Sequence, residues 1–498
     1  MSKKNKVANL NEMSLLKLAN SIISAVSYSI TAETIEQNTF LNVHDLDMSL
    51  VMVEINSYLE ANGATHTIYE ELLQSILSSD NLQASVRFVC LQMLLNHNIK
   101  SLTTEIFPYP YYEKILQVIV MQGSGIRYLN LKGIWIKEEM MSLMFNIIKN
   151  LPYLIKLVIP YIANDDVLHH IMKYQRNLLY LDISGETDIT DIGIDYLCTS
   201  SVSKTLTCVD IGMLGEENID HVDIASLLLN ISNLTSLGCY SFVGRSLHHI
   251  LDTINPSFMC KLQYIHDTNT TAHSMRAICK TCPQLRHFYL DSPDANILNL
   301  LTTLRKLERL KIYRFNCDEI VPVFKTIGSQ FQHLTFMKGR GIMDVIHLIK
   351  YCPNLIDLDF YMMDELTINV TYAEGENFGS LQTMEVLNSP MSAITLRHLI
   401  CNCHQTIRRL AVDNMPFTEI EMASILLEYN FNKLEDIWFT SAPNFTMVTM
   451  ELLLQLPELM SIGQLSGWRL TPDDIILLKG ILRSGNSCLT ISPANLFS

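Results

Sequence analysis

One spacing recurs along most of this chain and limits what it can fold into. At Leu178 the sequence reads LLYLDI, an apolar skeleton of the form L-x-x-L-x-L. The same skeleton, with related apolar residues, starts at Ile126, Leu154, Leu206, Leu234, Leu285, Leu307, Phe331, Leu355, Leu381, Ile407 and Leu434. Leu262 (LQYIHD) and Leu459 (LMSIGQ) fit it loosely. Successive starts lie 22 to 28 residues apart. Between them run segments with helical spacing, such as EIVPVFKTI, SAITLRHLICN and TEIEMASILLEY. Each unit therefore reads as a short strand followed by a helix. Such a unit is too small to bury its own apolar face, so its stability must come from stacking on its neighbours.

The stretch LDISGETDITDIGIDYLC resembles the cysteine-containing leucine-rich repeats. Leu181, Asp182, Ser184, Gly185, Ile189, Thr190, Asp191, Gly193 and Leu197 stand at matching places. That family ends its helices with Cys-Pro-x-Leu, and CPQL (Cys282 to Leu285) and CPNL (Cys352 to Leu355) have the same form. The resemblance implies an α/β leucine-rich-repeat solenoid, a horseshoe with parallel strands on its concave side and helices on its convex side. It covers residues 121–498 as about fourteen repeats, behind an all-α N-terminal cap at 1–120.

In L-x-x-L-x-L the leucines point into the core, and the residues between and just after them point outward from the sheet. From the sixth to the tenth repeat these are Tyr264, His266, His287, Tyr289, Arg309, Lys311, Tyr313, His333, Asp357, Asp359 and Tyr361, and Trp438 stands at the same place in LEDIWF. Tyrosine, tryptophan and arginine are common anchors of protein interfaces, so this face is the expected protein-binding surface. Residues 302–350 also carry nine Lys or Arg (Arg305, Lys306, Arg309, Lys311, Arg314, Lys325, Lys338, Arg340, Lys350) against four acids. In a chain of net charge −15, that band would favour an acidic partner segment. The global acidity argues against non-specific nucleic-acid binding, which needs a basic surface.

The first 120 residues contain no such skeleton and read as helices in NEMSLLKLANSIISAVSY, LDMSLVMVEINSYLEANG, TIYEELLQSILSS and LQASVRFVCLQMLLNH, up to a break at FPYPYYEK. Ser14, Leu15, Ala19 and Ile23 resemble the BC box, S-L-x-x-x-C-x-x-x-I, by which substrate receptors of cullin ligases hold elongin C, with alanine here in place of the cysteine. Glu71, Leu72, Leu73, Ile76, Leu82, Val89 and Cys90 resemble a degenerate F-box, the helical motif that binds a Skp-type adaptor. Either resemblance implies a substrate-recognition subunit of a ubiquitin ligase, with an adaptor on the N-terminal helices and the target on the repeats. The alternatives are a scaffold whose N-terminal helices only cap the solenoid and a secreted receptor ectodomain.

No apolar run reaches the roughly 18 to 20 uninterrupted residues of a membrane helix, because Lys17 and Asn20 interrupt the N-terminal one. Twelve cysteines without a paired framework point to reduced thiols and a cytoplasmic or nuclear protein. The single C-x-x-C, Cys279 and Cys282, has no second ligand pair at metal spacing and reads as repeat packing, as do Cys401 and Cys403. The His pairs at 169–170 and 248–249 are adjacent on helices and point apart. No G-x-x-x-x-G-K-S/T, G-x-G-x-x-G, G-x-S-x-G or H-E-x-x-H occurs. The expectation is a non-enzymatic binding protein without a cofactor.

Overall fold

A computed structural model describes residues 10–36, 49–79, 81–104, 107–185, 188–212, 219–238, 240–369, 378–463, 465, 467–484 and 489–491. They fall into two compact units. The first comprises Ala8–Ser241 with Cys260–Leu262, and the second Phe242–Met259 with Gln263–Ser498.

In the first unit six short strands pair in parallel and in sequence order: β1 (Ser101–Thr103), β2 (Tyr128–Asn130), β3 (Lys156–Val158), β4 (Tyr180–Asp182), β5 (Cys208–Asp210) and β6 (Ser236–Gly238). The second unit continues the pattern with β7 (Tyr264–Thr268), β8 (His287–Asp291), β9 (Arg309–Tyr313), β10 (His333–Met337), β12 (Asp357–Tyr361), β14 (Thr383–Leu387), β15 (Arg409–Val412), β16 (Asp436–Phe439), β17 (Ser461–Gly463) and β18 (Thr490–Ile491). Between these lie β11 (Ile342–Asp344) and β13 (Glu365–Thr367), which form a two-stranded parallel sheet of their own. All fourteen skeletons read from the sequence begin at strands of the ladder. The protein is a leucine-rich-repeat solenoid, with a helix or helical turn after most strands.

The leucine positions supply the core. Leu178, Leu181 and Ile183 are fully buried, as are Leu355, Leu358 and Phe360. Phe336 packs against Phe315, Phe324 and Phe360 at centroid separations of 5.6, 6.0 and 5.8 Å, so one repeat's apolar side chain fills the space between its neighbours'. Carboxylates tie adjacent helices in the same way. Asp165 accepts from the amide and hydroxyl of Thr190, which starts the next helix, at 2.9 and 2.6 Å. Glu419 accepts from Thr446 and Thr449, at 2.7 Å from the Thr446 hydroxyl.

After each strand from β7 to β10, and after β12, β14, β15 and β16, the backbone turns through one left-handed residue. In the second unit it falls on Asn269, Ser292, Arg314, Lys338, Met362, Asn388, Asn414 and Ser441, with φ between 48° and 55°. Asparagine tolerates this conformation; arginine, lysine and methionine adopt it at a cost of about 1–2 kcal/mol.

Two sequence expectations need correcting. The sheet begins at β1, inside the stretch expected to be an all-helical cap ending at residue 120. Its repeat reads Ile99, Leu102, Thr104, and the buried Thr104 takes a leucine's place because its amide and hydroxyl bond the Asn130 carbonyl. The break expected at FPYPYYEK leads straight into a helix, Tyr112–Gln122. Second, Met13–Thr31 is, by length and composition, apolar enough to cross a membrane. It lies within helix α1 (Leu10–Glu36), whose Ala19, Ile22, Val26 and Ile30 are buried.

The loose fit of LQYIHD has a physical cause. Asp267 occupies an inward strand position and is 1% exposed. Its carboxylate accepts from the amide of Gly244 at 2.6 Å and the hydroxyl of Thr270 at 2.7 Å. Burial pushes its pKa up to about 6, against the opposing effect of those two bonds and of Arg245. The folded chain thus holds this proton more tightly than the unfolded chain, so the contribution to stability is full below about pH 4 and lost as pH rises through about 6. Asp267→Asn is expected to remove a pH-dependent part of the unfolding free energy, on the order of 3 kcal/mol across that window. Denaturant unfolding of both proteins at steps from pH 4 to pH 7 checks this, and parallel pH curves would show the group is silent.

Candidate protein-binding face

Strand periodicity and register together build the candidate site. The main-sheet strands β7, β8, β9, β10 and β12 each have their first, third and fifth residues outward and their second and fourth buried. Each pairs with the next with no shift, so like positions line up in rows across the strands, with neighbours in a row about 4.8 Å apart. One row runs Tyr264, His287, Arg309, His333, Asp357, Thr383, Arg409. The next runs His266, Tyr289, Lys311, Thr335, Asp359, Glu385, Ala411, Trp438. A third contains Tyr313, Met337 and Tyr361. The twelve residues expected on this face all lie on it.

The rows are wired side by side. His266 stacks on Tyr289 at 4.2 Å and 7°, and the Lys311 ammonium sits 4.3 Å from the centroid of the same Tyr289 ring. Arg314 and Lys338 lie 5.0 and 5.3 Å from the Tyr313 ring, and Lys338 first, then Arg314, lowers the phenol's pKa. Burial lowers the pKa of His266 and of His287, with Lys311 adding for the first and Arg309 for the second, so both imidazoles favour the neutral form. This half of the face is aromatic and cationic.

Two strands further on the sign changes. His333 Nδ1 bonds Asp357, the Thr335 hydroxyl donates to Asp359 at 3.0 Å, and the Tyr361 hydroxyl donates to Glu385 at 2.6 Å. Arg409 pairs with Glu385 at 2.9 Å. Burial, with Glu385 and Asp357 adding, pushes Asp359 up to about 6 against the Thr335 bond. Beyond them Trp438 lies flat over Gly463, where a Cβ would stand 2.8 Å from two ring carbons. Sequence reasoning passed over Thr335, Glu385 and Arg409, although they occupy outward slots of FQHLTF, LQTMEV and IRRLAV.

The nine cations of 302–350 do not form one band. Arg309 and Lys311 are on the face, and Arg314 and Lys338 are in the turns after β9 and β10. Arg305 and Lys306 line a separate polar cleft of about 600 Å³ with Arg286, Glu308, Gln332 and Gln382. Lys325 and Lys350 sit in the last turns of helices. Sequence proximity gathered residues that the strand-and-helix alternation sends to different sides.

The N-terminal motifs lie on α1, α3 (His66–Leu77) and α4 (Ala84–Leu94); α2 spans Ser49–Ala61. On α1, Ser14 is exposed, Leu15 and Ile23 are half-buried, and Ala19 is buried. Leu72, Leu73, Ile76, Val89 and Cys90 of the F-box-like stretch are all buried, Leu82 is half-buried and Glu71 is exposed. The exposed apolar side chains are others: Met13 and Leu16 on α1, Leu50, Val53 and Tyr58 on α2. A cleft of about 950 Å³ opens among Met52, Val53, Phe88, Met93, Tyr111 and Met121.

The cysteines follow the repeat. Ten described cysteines are thiols outside any disulfide. Cys282 and Cys352 of the Cys-Pro pairs are fully buried, and burial raises the Cys352 thiol. Cys279 and Cys282 turn to separate partners, the Leu300 carbonyl and the Thr281 hydroxyl. Among the described residues no three His, Cys, Asp or Glu gather as a metal site.

No family model and no curated protein matches the chain. Two of the many solved structures similar in outline are as follows. One is a chain of the Rad7 and Elc1 complex in yeast, 14% identical, covering 98% of both chains at a TM-score of 0.46. The other is from the TLR13–ssRNA13 complex, 14% identical, covering 79% of this chain and 64% of that one at a TM-score of 0.36. At these scores the likenesses carry no functional argument, and the solenoid assignment rests on the strands, their register and their buried leucine positions.

The contact between Trp438 and Gly463 gives a direct check on the face. Gly463→Ala places a methyl against the indole and should tilt Trp438 outward, shifting its fluorescence to the red. The stability cost should stay within about 1–3 kcal/mol. Comparing the emission spectra of Gly463→Ala with and without Trp438→Phe isolates the signal. An unchanged Trp438 component would mean that the ring does not lie on Gly463.

Proposed function

We propose that this protein recognises a protein partner through the strand face of the second unit, and that it does so as the substrate-recognition subunit of a ubiquitin ligase. The observation that carries the reading is the in-register alignment of Tyr264, His266, His287, Tyr289, Arg309, Lys311, Tyr313, His333, Asp357, Asp359, Tyr361 and Trp438 on one rigid sheet face. Because the strands are already paired, a partner need not order their backbone, and aromatic side chains have few rotamers to lose, which suits them as anchors.

The adaptor part rests on α1. Ser14, Leu15 and Ile23 would meet elongin C, while Ala19, which faces the core, would hold the helix in place. The exposed Met13, Leu16, Leu50, Val53 and Tyr58 support an apolar contact in this region. The burial of Leu72, Leu73, Ile76, Val89 and Cys90 favours α1 over the F-box-like helices as the adaptor site. It also supports the second reading, a scaffold in which these helices only cap the solenoid.

Purified elongin B/C mixed with the full chain distinguishes the two. The ligase reading expects a single complex on size exclusion. Leu15→Asp with Ile23→Asp should abolish that complex, and Ile420→Asp, an exposed change on a repeat helix, should leave it intact. The helicity of each variant is measured alongside. Absence of any complex at about 10 µM, or a complex indifferent to the α1 changes, would leave the scaffold. For the face itself, a photo-crosslinker at Tyr289 or Trp438 should capture a partner that one at Ile420 does not.

A further inference from the structure

The charge pattern on this face is ordered, and the order says what kind of segment fits it. The cationic part makes no ion pair among the described residues, with Asp291 on β8, opposite Tyr313, the acid beside it. Among the described residues no carboxylate oxygen lies within 4.0 Å of the charged nitrogens of Arg309, Lys311 or Lys338. Lys311 and Lys338 instead rest over tyrosine rings, which position an ammonium without cancelling its charge. The anionic part is crowded: Asp357, Asp359 and Glu385 occupy neighbouring positions on β12 and β14, with Arg409 paired to Glu385 and His333 bonded to Asp357. Burial raises the pKa of Asp359, and the nearby Glu385 and Asp357 add to that rise. Between Arg309 and Lys311 on β9 and the acids on β12, β10 presents Thr335 and Met337, with His333 at its start bonded to Asp357 and Lys338 in the turn after it.

We propose that the face from β9 to β14 binds an extended peptide of split charge, its acidic residues over Arg309, Lys311 and Lys338 and its basic residues over Asp357, Asp359 and Glu385. This deepens the strand-face reading above and rests on it. The two centres are separated by two to three strand spacings, roughly 10–14 Å. An extended chain covers that distance in about three or four residues, so acid and base in the partner stand about that far apart in sequence. A nucleic acid fits less well. Its uniform negative charge would gain at β9 and be repelled at β12 and β14, on a chain already at −15.

The test uses the full chain and a fluorescein-labelled peptide with two glutamates, a three-residue Gly-Ser spacer and two lysines, followed by anisotropy at about 20 mM salt. All-glutamate and all-lysine peptides of the same length and a 12-nucleotide single-stranded RNA run in parallel. The split peptide should bind at least about tenfold more tightly than either uniform peptide and weaken as salt rises. Arg309→Glu with Lys311→Glu, exposed or half-exposed positions that leave the core untouched, should lower its affinity about tenfold, and Asp357→Lys should do the same. Three results overturn the proposal: no binding of the split peptide up to about 1 mM, equal binding of the all-glutamate peptide, or preferential binding of the RNA. Crosslinking of a protein partner at Tyr289 without any charge preference would overturn this proposal alone and leave the strand-face reading standing.

Discussion

The strand face and the core behind it both depend on a parallel ladder without stagger. Leu334 pairs with Leu358 and with Leu310, and His333 with Asp357 and with Arg309. Because side chains alternate along a strand, a slip of one residue in any pair would send a leucine to solvent and a charge to the core. The buried positions therefore fix the register, and the register in turn fixes the outward rows. A residue placed on the face by its own repeat acquires its neighbours from the repeats before and after it.

The same dependence appears on the helical side. Asp165 serves Thr190 in the next repeat, and Glu419 serves Thr446 and Thr449. Burial raises the Glu419 carboxyl, but the hydrogen bonds from Thr446 and Thr449 outweigh it and hold the group below the usual carboxylate range. A carboxylate in one helix's first turn thus completes the start of another, where free amides would otherwise face solvent. Coupling in such an array passes between nearest neighbours, so the consequences of a substitution are set by the two repeats that flank it.

The repeat was legible because three apolar positions in six, returning every 22 to 28 residues, leave few alternatives. It was not legible where polar groups stand in for leucine. Thr104 concealed β1 by bonding the Asn130 carbonyl, and Asp267 blurred β7 because its partners, Gly244 and Thr270, cannot be read from a spacing. The direction of side chains on the strands followed from period two alone. The pairings His333 with Asp357 and Tyr361 with Glu385 did not, since they need the register as well as the sequence. The helical region was hardest. The BC-box and F-box resemblances are amphipathic patterns, and burial divides their residues in a way that the pattern does not: Ala19 and Leu72 inward, Ser14 and Glu71 outward.

The left-handed turn that follows the strands of the second unit from β7 to β10 and at β12, β14, β15 and β16 has a consequence of its own. Glycine would take that conformation freely, and asparagine nearly so, yet Arg314, Lys338 and Met362 hold it in three successive repeats. The chain forgoes stability there, on the order of 1 kcal/mol at each turn, for side chains that the core does not use. These turns are adjustable joints: their residue can be exchanged without disturbing a leucine, and a change toward glycine would strengthen the scaffold while erasing what the rim displays. A solenoid of this kind can thus alter its outer edge one repeat at a time, and its tolerance for heat and its surface chemistry can be tuned against each other at a single residue per turn.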